Sequence, residues 1–174
     1  MSKRFLFILI LVCSVIDAKD IDFGDIHGIK IESNKSTVSP YSEMVRPCRG
    51  ILVQSYSEEH PAVDISGLKN RPLYSMGKGV IKRMFRNQRY GNAIEIQLDN
   101  GLELLYAHLE NYKTESGELQ RGQKVNAGDR VGTMGTTGWS LGIHLHLEIT
   151  KNGKLIDPEP ILKNLPYVST NSEK

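Results

Sequence analysis

The sequence predicts a mainly all-β protein, built as one domain with short extensions at both ends. Its 174 residues suit a single domain, since domains commonly run to about 100–200 residues. From about Cys48 onward, short apolar runs alternate with turn residues, and long segments of helical periodicity are scarce. The 16 glycines add turn-forming residues, so the composition also favours β structure with many tight connections.

Residues 1–18 are predicted to be a signal peptide. A basic head at Lys3 and Arg4 precedes an apolar run from Phe5 to Ile16, and Ala18 supplies a small residue at the cleavage point. This run is shorter than the roughly 20 residues of a transmembrane helix. An uncleaved N-terminal anchor is the alternative. We expect export to the periplasm or to the extracellular cell wall, without stable membrane insertion after cleavage.

Charge and cysteine content limit the partners and the redox chemistry. The formal net charge is +2, and cleavage after Ala18 would leave +1 by removing Lys3, Arg4 and Asp17. A charge this small predicts neither nucleic acid nor a strongly acidic partner. Cleavage would also remove Cys13, so Cys48 would remain alone without an internal disulfide.

The domain is predicted to span residues 48–165. Residues 19–47 are polar and weakly patterned, which is typical of a linker or a loosely attached arm, and residues 166–174 form a tail expected to fray. Asp99-Asn100-Gly101 is a strong hairpin signal, and the strand before it alternates apolar and polar side chains. The predicted strands are Gly50–Tyr56, Gly79–Arg86, Ala93–Leu98, Leu102–Leu109, Arg130–Met134 and Ile143–Thr150.

The segment from Ile143 to Ile149 carries the strongest chemical signal. Alternate side chains of a strand point to opposite faces, so His144 and His146 share one face while the apolar residues between them enter the core. Two imidazoles at this spacing suit one metal ion or one bound substrate. Two surface histidines on an edge strand are the alternative.

Two further settings hold the remaining candidates. His60 and Asp64 lie four residues apart around Pro61, and they can reach one metal ion if the chain turns between them. His108 ends an apolar strand, where alternation places it on the face of Leu102, Leu104 and Tyr106. A single histidine there is more often structural. Two histidines and one carboxylate nevertheless suffice for catalytic zinc, with water in the fourth position and two histidines left for proton transfer.

These residues, in this order, resemble the lysostaphin-type (LytM-like) zinc metalloendopeptidases, which hydrolyse peptidoglycan. The resemblance runs from about Gly50 to Leu162. It also includes Val63-Asp64-Ile65, Pro72-Leu73-Tyr74, Tyr90-Gly91-Asn92, Tyr106-Ala107-His108-Leu109, Gly122 to Gly128, His144-Leu145-His146-Leu147-Glu148, Asn152-Gly153 and Asp157-Pro158.

The resemblance implies a role for each candidate residue. His60, Asp64 and His146 would bind one Zn²⁺ per chain, and His108 and His144 would be the catalytic pair. It further implies a curved antiparallel β-sheet or sandwich of the duplicated-hybrid-motif type, with few short helices and the metal in a groove. The substrate class is peptidoglycan peptide, either a glycine-rich bridge or a D-amino-acid cross-link.

Some features depart from the family pattern or have a second interpretation. The family usually has Gly where this chain has Ala62, so we expect the loop to hold His60 slightly differently. Asn34 and His27 could belong to an inhibitory N-terminal segment, although ordinary linker residues are the simpler interpretation. A basic cluster is interpreted as a solvated strand edge, with an anionic wall polymer as the alternative; its members are Lys78, Lys82, Arg83, Arg86 and Arg89.

Other functions fit less well. A catalytically silent peptidoglycan-binding protein, or an activator of another cell-wall hydrolase, is the main alternative, but this chain keeps all five site residues. A cupin-like metal protein would need a further histidine after His146, and the sequence has none. No glycine-rich phosphate loop follows a strand and opens a helix, so a nucleotide enzyme is not supported.

Overall fold

The computed structural model describes residues 39–114 and 117–169. The predicted signal peptide, most of the predicted arm, His27, Asn34 and the end of the tail lie outside these residues. The described chain forms twelve strands and one helix: β1 Ile51–Gln54, β2 Val63–Ser66, β3 Pro72–Tyr74, β4 Gly79–Asn87, β5 Gly91–Leu98, β6 Leu102–Asn111, β7 Lys113–Thr114, β8 Gly117–Glu118, β9 Lys124–Val125, β10 Arg130–Met134, β11 His144–Lys151, β12 Lys154–Ile156 and α1 Glu159–Leu162.

Ten of these strands form one antiparallel sheet, which confirms the predicted fold class. Its main path runs β1-β2-β11-β6-β5-β4-β9, with β12 paired to β11 and β10 paired to both β3 and β6. β7 and β8 form a separate small hairpin. β11 therefore lies between β2 and β6, two strands that are far from it in sequence.

The longer strands agree closely with the sequence prediction. β10 has the predicted bounds, and β4, β5, β6 and β11 differ from prediction by at most two residues at an end. Six short strands were not predicted: β2, β3, β7, β8, β9 and β12. A strand of two to four residues places at most one or two apolar side chains on a face, so it shows too little periodicity to detect.

One face of β5, β6 and β11 packs into the core. The alternation predicted for β5 is confirmed, because Ile94, Ile96 and Leu98 are buried while Glu95 and Gln97 are only partly so. The intervening residues of β11 are fully buried, as expected; they are Leu145, Leu147 and Ile149. The opposite face of β11 is left for its histidines.

Residues 44–48, just before β1, attach to the domain. Met44 and Cys48 are buried in the hydrophobic core. The backbone N–H of Val45 donates to the carbonyl of Met76 at 2.9 Å, and that of Arg46 donates to Pro166 at 2.8 Å. No helix in the described part of the chain has the length and apolar character needed to span a membrane.

Candidate active site

Strand register brings the first two site residues together. Asp64 of β2 lies directly opposite His146 of β11, and Ser66 lies opposite His144. Directly opposite residues in an antiparallel pair share a face of the sheet. The carboxylate of Asp64 therefore lies beside the two histidines, whose common face was predicted and is observed.

His60 reaches the same point from the loop before β2. The N–H of Ala62 donates to the carbonyl of His60 at 2.7 Å, which makes Pro61 the central residue of a three-residue turn. The fixed φ of proline suits such a turn. The N–H of His60 also donates to Ser57 Oγ at 3.0 Å. Ala62 is not among the described residues with positive φ, so its backbone conformation does not require glycine.

The donor atoms of His60, Asp64 and His146 converge. His60 Nε2 lies 3.2 Å from Asp64 Oδ1 and 3.3 Å from His146 Nδ1, and the latter two atoms are 2.9 Å apart. A tetrahedral zinc site with bonds of about 2.0–2.1 Å separates its ligand atoms by about 3.3 Å. The three donors thus fit zinc with small adjustments. Among the His, Cys, Asp and Glu side chains of the described residues, this is the group whose ligand atoms lie close enough together to hold a metal ion.

A second carboxylate orients His146. Glu148 Oε1 lies 3.2 Å from His146 Nε2 and accepts a hydrogen bond from the Tyr90 hydroxyl at 2.8 Å. A proton on Nε2, held by Glu148, leaves the lone pair on Nδ1 for a metal. Sequence reasoning did not assign Glu148 to the site. The signal was its spacing, because His144, His146 and Glu148 alternate along one face of β11.

A β-bulge in β6 determines the position of His108. Asn92 pairs with Leu109 and Ile94 pairs with Tyr106. One residue of β5 therefore lies between these two pairs, whereas two residues of β6 do. The extra residue resets the alternation of β6, and His108 has a φ of 61°, in the left-handed region.

The bulge turns His108 toward the other histidines. Its ring centroid lies 4.7 Å from that of His144 and 5.7 Å from that of His146. The expectation that His108 shares a face with three apolar residues of β6 is therefore wrong. The apolar residues pack in the core, whereas the ring of His108 lies against the rings of His144 and His146; the apolar residues are Leu102, Leu104 and Tyr106.

Backbone carbonyls hold the rings of His108 and His144. His108 Nδ1 donates to the carbonyl of Thr137 at 2.7 Å, and His144 Nδ1 donates to that of Gly142 at 2.9 Å. These bonds place the ring proton on Nδ1 and leave the lone pair of a neutral ring on Nε2. His144 Nε2 lies 3.6 Å from Asp64 Oδ2, at the edge of the three-donor cluster.

Burial and partners set the charges in the site. Burial alone would raise the pKa values of Asp64 and Glu148, but hydrogen bonds and neighbouring charges, above all from His146, lower both. Burial alone would lower the pKa of His146, but Asp64 and Glu148 together raise it. For His108, burial prevails over its bond to Thr137, so its pKa is lowered and the ring is neutral at pH 7.

These side chains lie in an open groove of about 310 Å³. One rim is the loop from residue 135 to 143, where Trp139 and Leu141 are exposed to solvent. Exposed apolar side chains at the edge of a polar groove are typical of ligand contacts. Gln54, Arg89, Tyr90 and Ser140 also line the groove.

Comparison with known proteins identifies the family. The model of Peptidase family M23 matches residues 58–158, which is more than half of the chain. This chain belongs to peptidase family M23. The matched segment contains all five site residues, and the resemblance to lysostaphin-type peptidases is confirmed.

Two relatives show what the chain is similar to. The DD-carboxypeptidase/endopeptidase Mpg of Neisseria meningitidis serogroup B is 35% identical over 110 residues, covering 63% of this chain and 24% of the relative. The murein hydrolase activator NlpD of Salmonella dublin is 30% identical over 138 residues, covering 77% and 34%. The chain thus spans between about a quarter and a third of these relatives.

A solved structure of the antimicrobial peptidase lysostaphin from Staphylococcus simulans has the same fold. Its TM-score is 0.59 at 26% identity, with 75% of this chain and 57% of that chain covered. The mostly antiparallel sheet predicted from sequence is therefore the M23 fold.

Proposed function

We propose that this M23 chain is an exported zinc metalloendopeptidase that hydrolyses peptide bonds in peptidoglycan stem peptides or cross-bridges. The observation that carries the proposal is the convergence of His60 Nε2, Asp64 Oδ1 and His146 Nδ1 to separations of 2.9–3.3 Å. The names of relatives such as Mpg support the substrate class. We propose the periplasm or the cell wall as the location, where that substrate lies.

His60, Asp64 and His146 would hold the metal. A bound Zn²⁺ would polarise the peptide carbonyl and make water nucleophilic near neutral pH. The low pKa of Asp64 keeps its carboxylate ionised and ready to bind a cation. Glu148 holds the tautomer of His146 that presents Nδ1.

His108 and His144 would carry the proton transfers. Each ring is fixed through Nδ1 by a backbone carbonyl, so each can accept a proton at Nε2 without turning. One would take the proton from the attacking water. The other, once protonated, would donate a hydrogen bond to the oxygen of the tetrahedral intermediate, and a proton must finally reach the leaving amine.

A silent peptidoglycan-binding or activator role is the second candidate, because NlpD is named as a hydrolase activator. The enzyme is favoured because two histidines and a carboxylate are close enough to bind a metal ion, and two further histidines line the same groove.

The test is to measure zinc content and peptidoglycan digestion on one purified sample, with products analysed by mass spectrometry. We expect about one zinc per chain and chelator-sensitive release of cut peptides, and the masses would name the bond. Zinc without cleavage would contradict the proposed hydrolysis. Neither zinc nor cleavage, with retained binding to peptidoglycan, would favour the activator role.

A further inference from the structure

The basic cluster identified in the sequence divides into two groups in the structure. Three of its members form ion pairs across neighbouring strands or turns: Lys78 with Asp99 at 3.3 Å, Lys82 with Glu103 at 2.6 Å and Arg83 with Glu95 at 2.6 Å. Arg86 and Arg89 have no carboxylate partner among the described residues. Of these two, only Arg89 lines the groove.

The structure holds Arg89 at the rim on two sides. Its guanidinium carbon lies 5.2 Å from the centre of the Tyr90 ring, and the Tyr90 ring lies 5.9 Å from that of His146. Its carbonyl accepts a hydrogen bond from the N–H of Trp139 at 3.1 Å. Arg89 is therefore one side chain away from a proposed zinc ligand and is tied to the loop that forms the rim.

The two carboxylates beside the groove are hydrogen-bonded to other groups, and Arg89 acts on Glu148 only through its charge, which helps to lower the pKa of Glu148. Asp64 is engaged by His60 and His146, and Glu148 is engaged by Tyr90 and His146. Arg89 is an exposed residue that lines the groove, so its guanidinium can donate hydrogen bonds to a ligand there. The planar fork of arginine matches a carboxylate with two parallel hydrogen bonds.

We infer that Arg89 is a specificity-determining residue that binds a free carboxylate of the peptide close to the scissile bond. The preferred substrate is then a cross-link in which the residue beside the scissile bond carries a carboxylate, and an uncharged glycine bridge is a poor one. This inference rests on the proposed function, because it assigns the charge of the peptide in the same groove.

The test compares three peptides of equal length. The first joins D-alanine to an amino acid with a free α-carboxylate, the second has that carboxylate converted to a carboxamide, and the third is oligoglycine. Rates are measured with the zinc-loaded full chain, with Arg89→Gln and Arg89→Lys, and with Arg86→Gln as the matched control. Binding of the first two peptides is measured by calorimetry in a His144→Ala background, where slow cleavage leaves them intact.

We expect the unaltered chain to prefer the carboxylate over the carboxamide by about tenfold in both kcat/KM and Kd, as one charged hydrogen-bonded contact provides. Arg89→Gln should abolish this preference, mainly through KM, while Arg89→Lys keeps part of it and Arg86→Gln keeps all of it. Equal zinc content in the variants would show that the site is intact.

Two outcomes would overturn the inference: equal treatment of carboxylate and carboxamide by the unaltered chain, or a preference that survives in Arg89→Gln. Failure of the proposed function looks different. Binding that prefers the carboxylate, without hydrolysis of any peptide or of peptidoglycan, would support the role of Arg89 and contradict the peptidase. Hydrolysis without a preference for the carboxylate would support the peptidase and contradict the role of Arg89.

Discussion

The groove and a second cavity differ in the way their polar groups are arranged. The second cavity, between residues 46–50 and α1, is larger, at about 580 Å³ against about 310 Å³. Its charged side chains have both signs and serve local structure: Arg46 Nε donates to the carbonyl of Leu165, and Asp157 accepts from the N–H of Glu159. In the groove, by contrast, ring nitrogens and carboxylates bond to one another around one point. Convergence of polar groups, more than volume, marks the functional site.

Buried titratable groups differ between the two regions in whether partners offset the effect of burial. Cys48 lines the second cavity, and burial raises the pKa of its thiol to about 12, so it stays protonated and unreactive. Asp64 and His146 are also buried, but each supplies the other with a partner. Their partners outweigh burial: the pKa of Asp64 is lowered, which keeps its carboxylate ionised, and the pKa of His146 is raised.

The largest expected effect is the loss of a proposed metal ligand. Asp64→Ala and His146→Ala should each lose bound zinc and lower activity by at least about a thousandfold, because too few protein ligands remain. Zinc content and peptidoglycan digestion measure both effects. Glu159→Gln, which removes a carboxylate from the second cavity, is the matched control and should keep both. Full zinc occupancy in Asp64→Ala would show that the three-donor cluster is not the metal site.

Removing a proposed catalytic histidine should separate activity from metal binding. His144→Ala should lower kcat by about a hundredfold to ten-thousandfold, the usual contribution of general acid–base catalysis, while most of the zinc remains. Metal analysis and digestion rates on the same preparation make the comparison. An emptied site in His144→Ala would contradict the division into ligands and catalysts.

At the rim of the groove, a substitution that disturbs a close backbone contact should lower activity more than one that only places alanine at positive φ. Gly138 has a φ of 77°, and a Cβ there would overlap the backbone nitrogen of Gly91. Gly138→Ala should therefore displace the neighbouring Thr137 carbonyl that holds His108, and a displacement of about 1 Å costs roughly a hundredfold in rate.

The matched control for this variant is Gly153→Ala. Gly153 has a similar φ of 75°, but a Cβ there meets no atom within 4 Å. It should lower stability by about 1 kcal/mol, as positive φ does for alanine, and leave kcat/KM unchanged. Equal kinetic effects of the two variants would mean that the contact with Gly91 does not position the site.

What the sequence could predict in the site depended on whether the signal was local. Alternation along β11 was enough to place His144 and His146 on one face, and the hairpin signal and alternation were enough to place β5. The pairing of Asp64 with His146 depends on the register between β2 and β11, which are about 80 residues apart and carry no local sign of it. The resemblance to a family supplied that pairing; periodicity did not.

The position of His108 shows the limit of strand periodicity. Alternation predicted the core face, because a bulge adds one residue to the count and leaves no mark in composition. Positive φ is uncommon for any residue other than glycine, so the presence of a histidine did not by itself indicate a bulge. The carbonyls of Tyr90 and Thr137, which bind its N–H and its ring, come from distant segments and hold this conformation.

The smallest expected effect on activity comes from the core beside the second cavity. Leu162 is 4% exposed and lines that cavity, so Leu162→Ala should lower the free energy of unfolding by about 2–3 kcal/mol. This is the lower part of the range for buried leucines, because one side of Leu162 already faces open space. Denaturant unfolding measures the loss, and zinc content and kcat/KM should stay within about twofold. A change in kcat/KM as large as that of Gly138→Ala would mean that α1 and the groove are energetically coupled, because no site residue lines the second cavity.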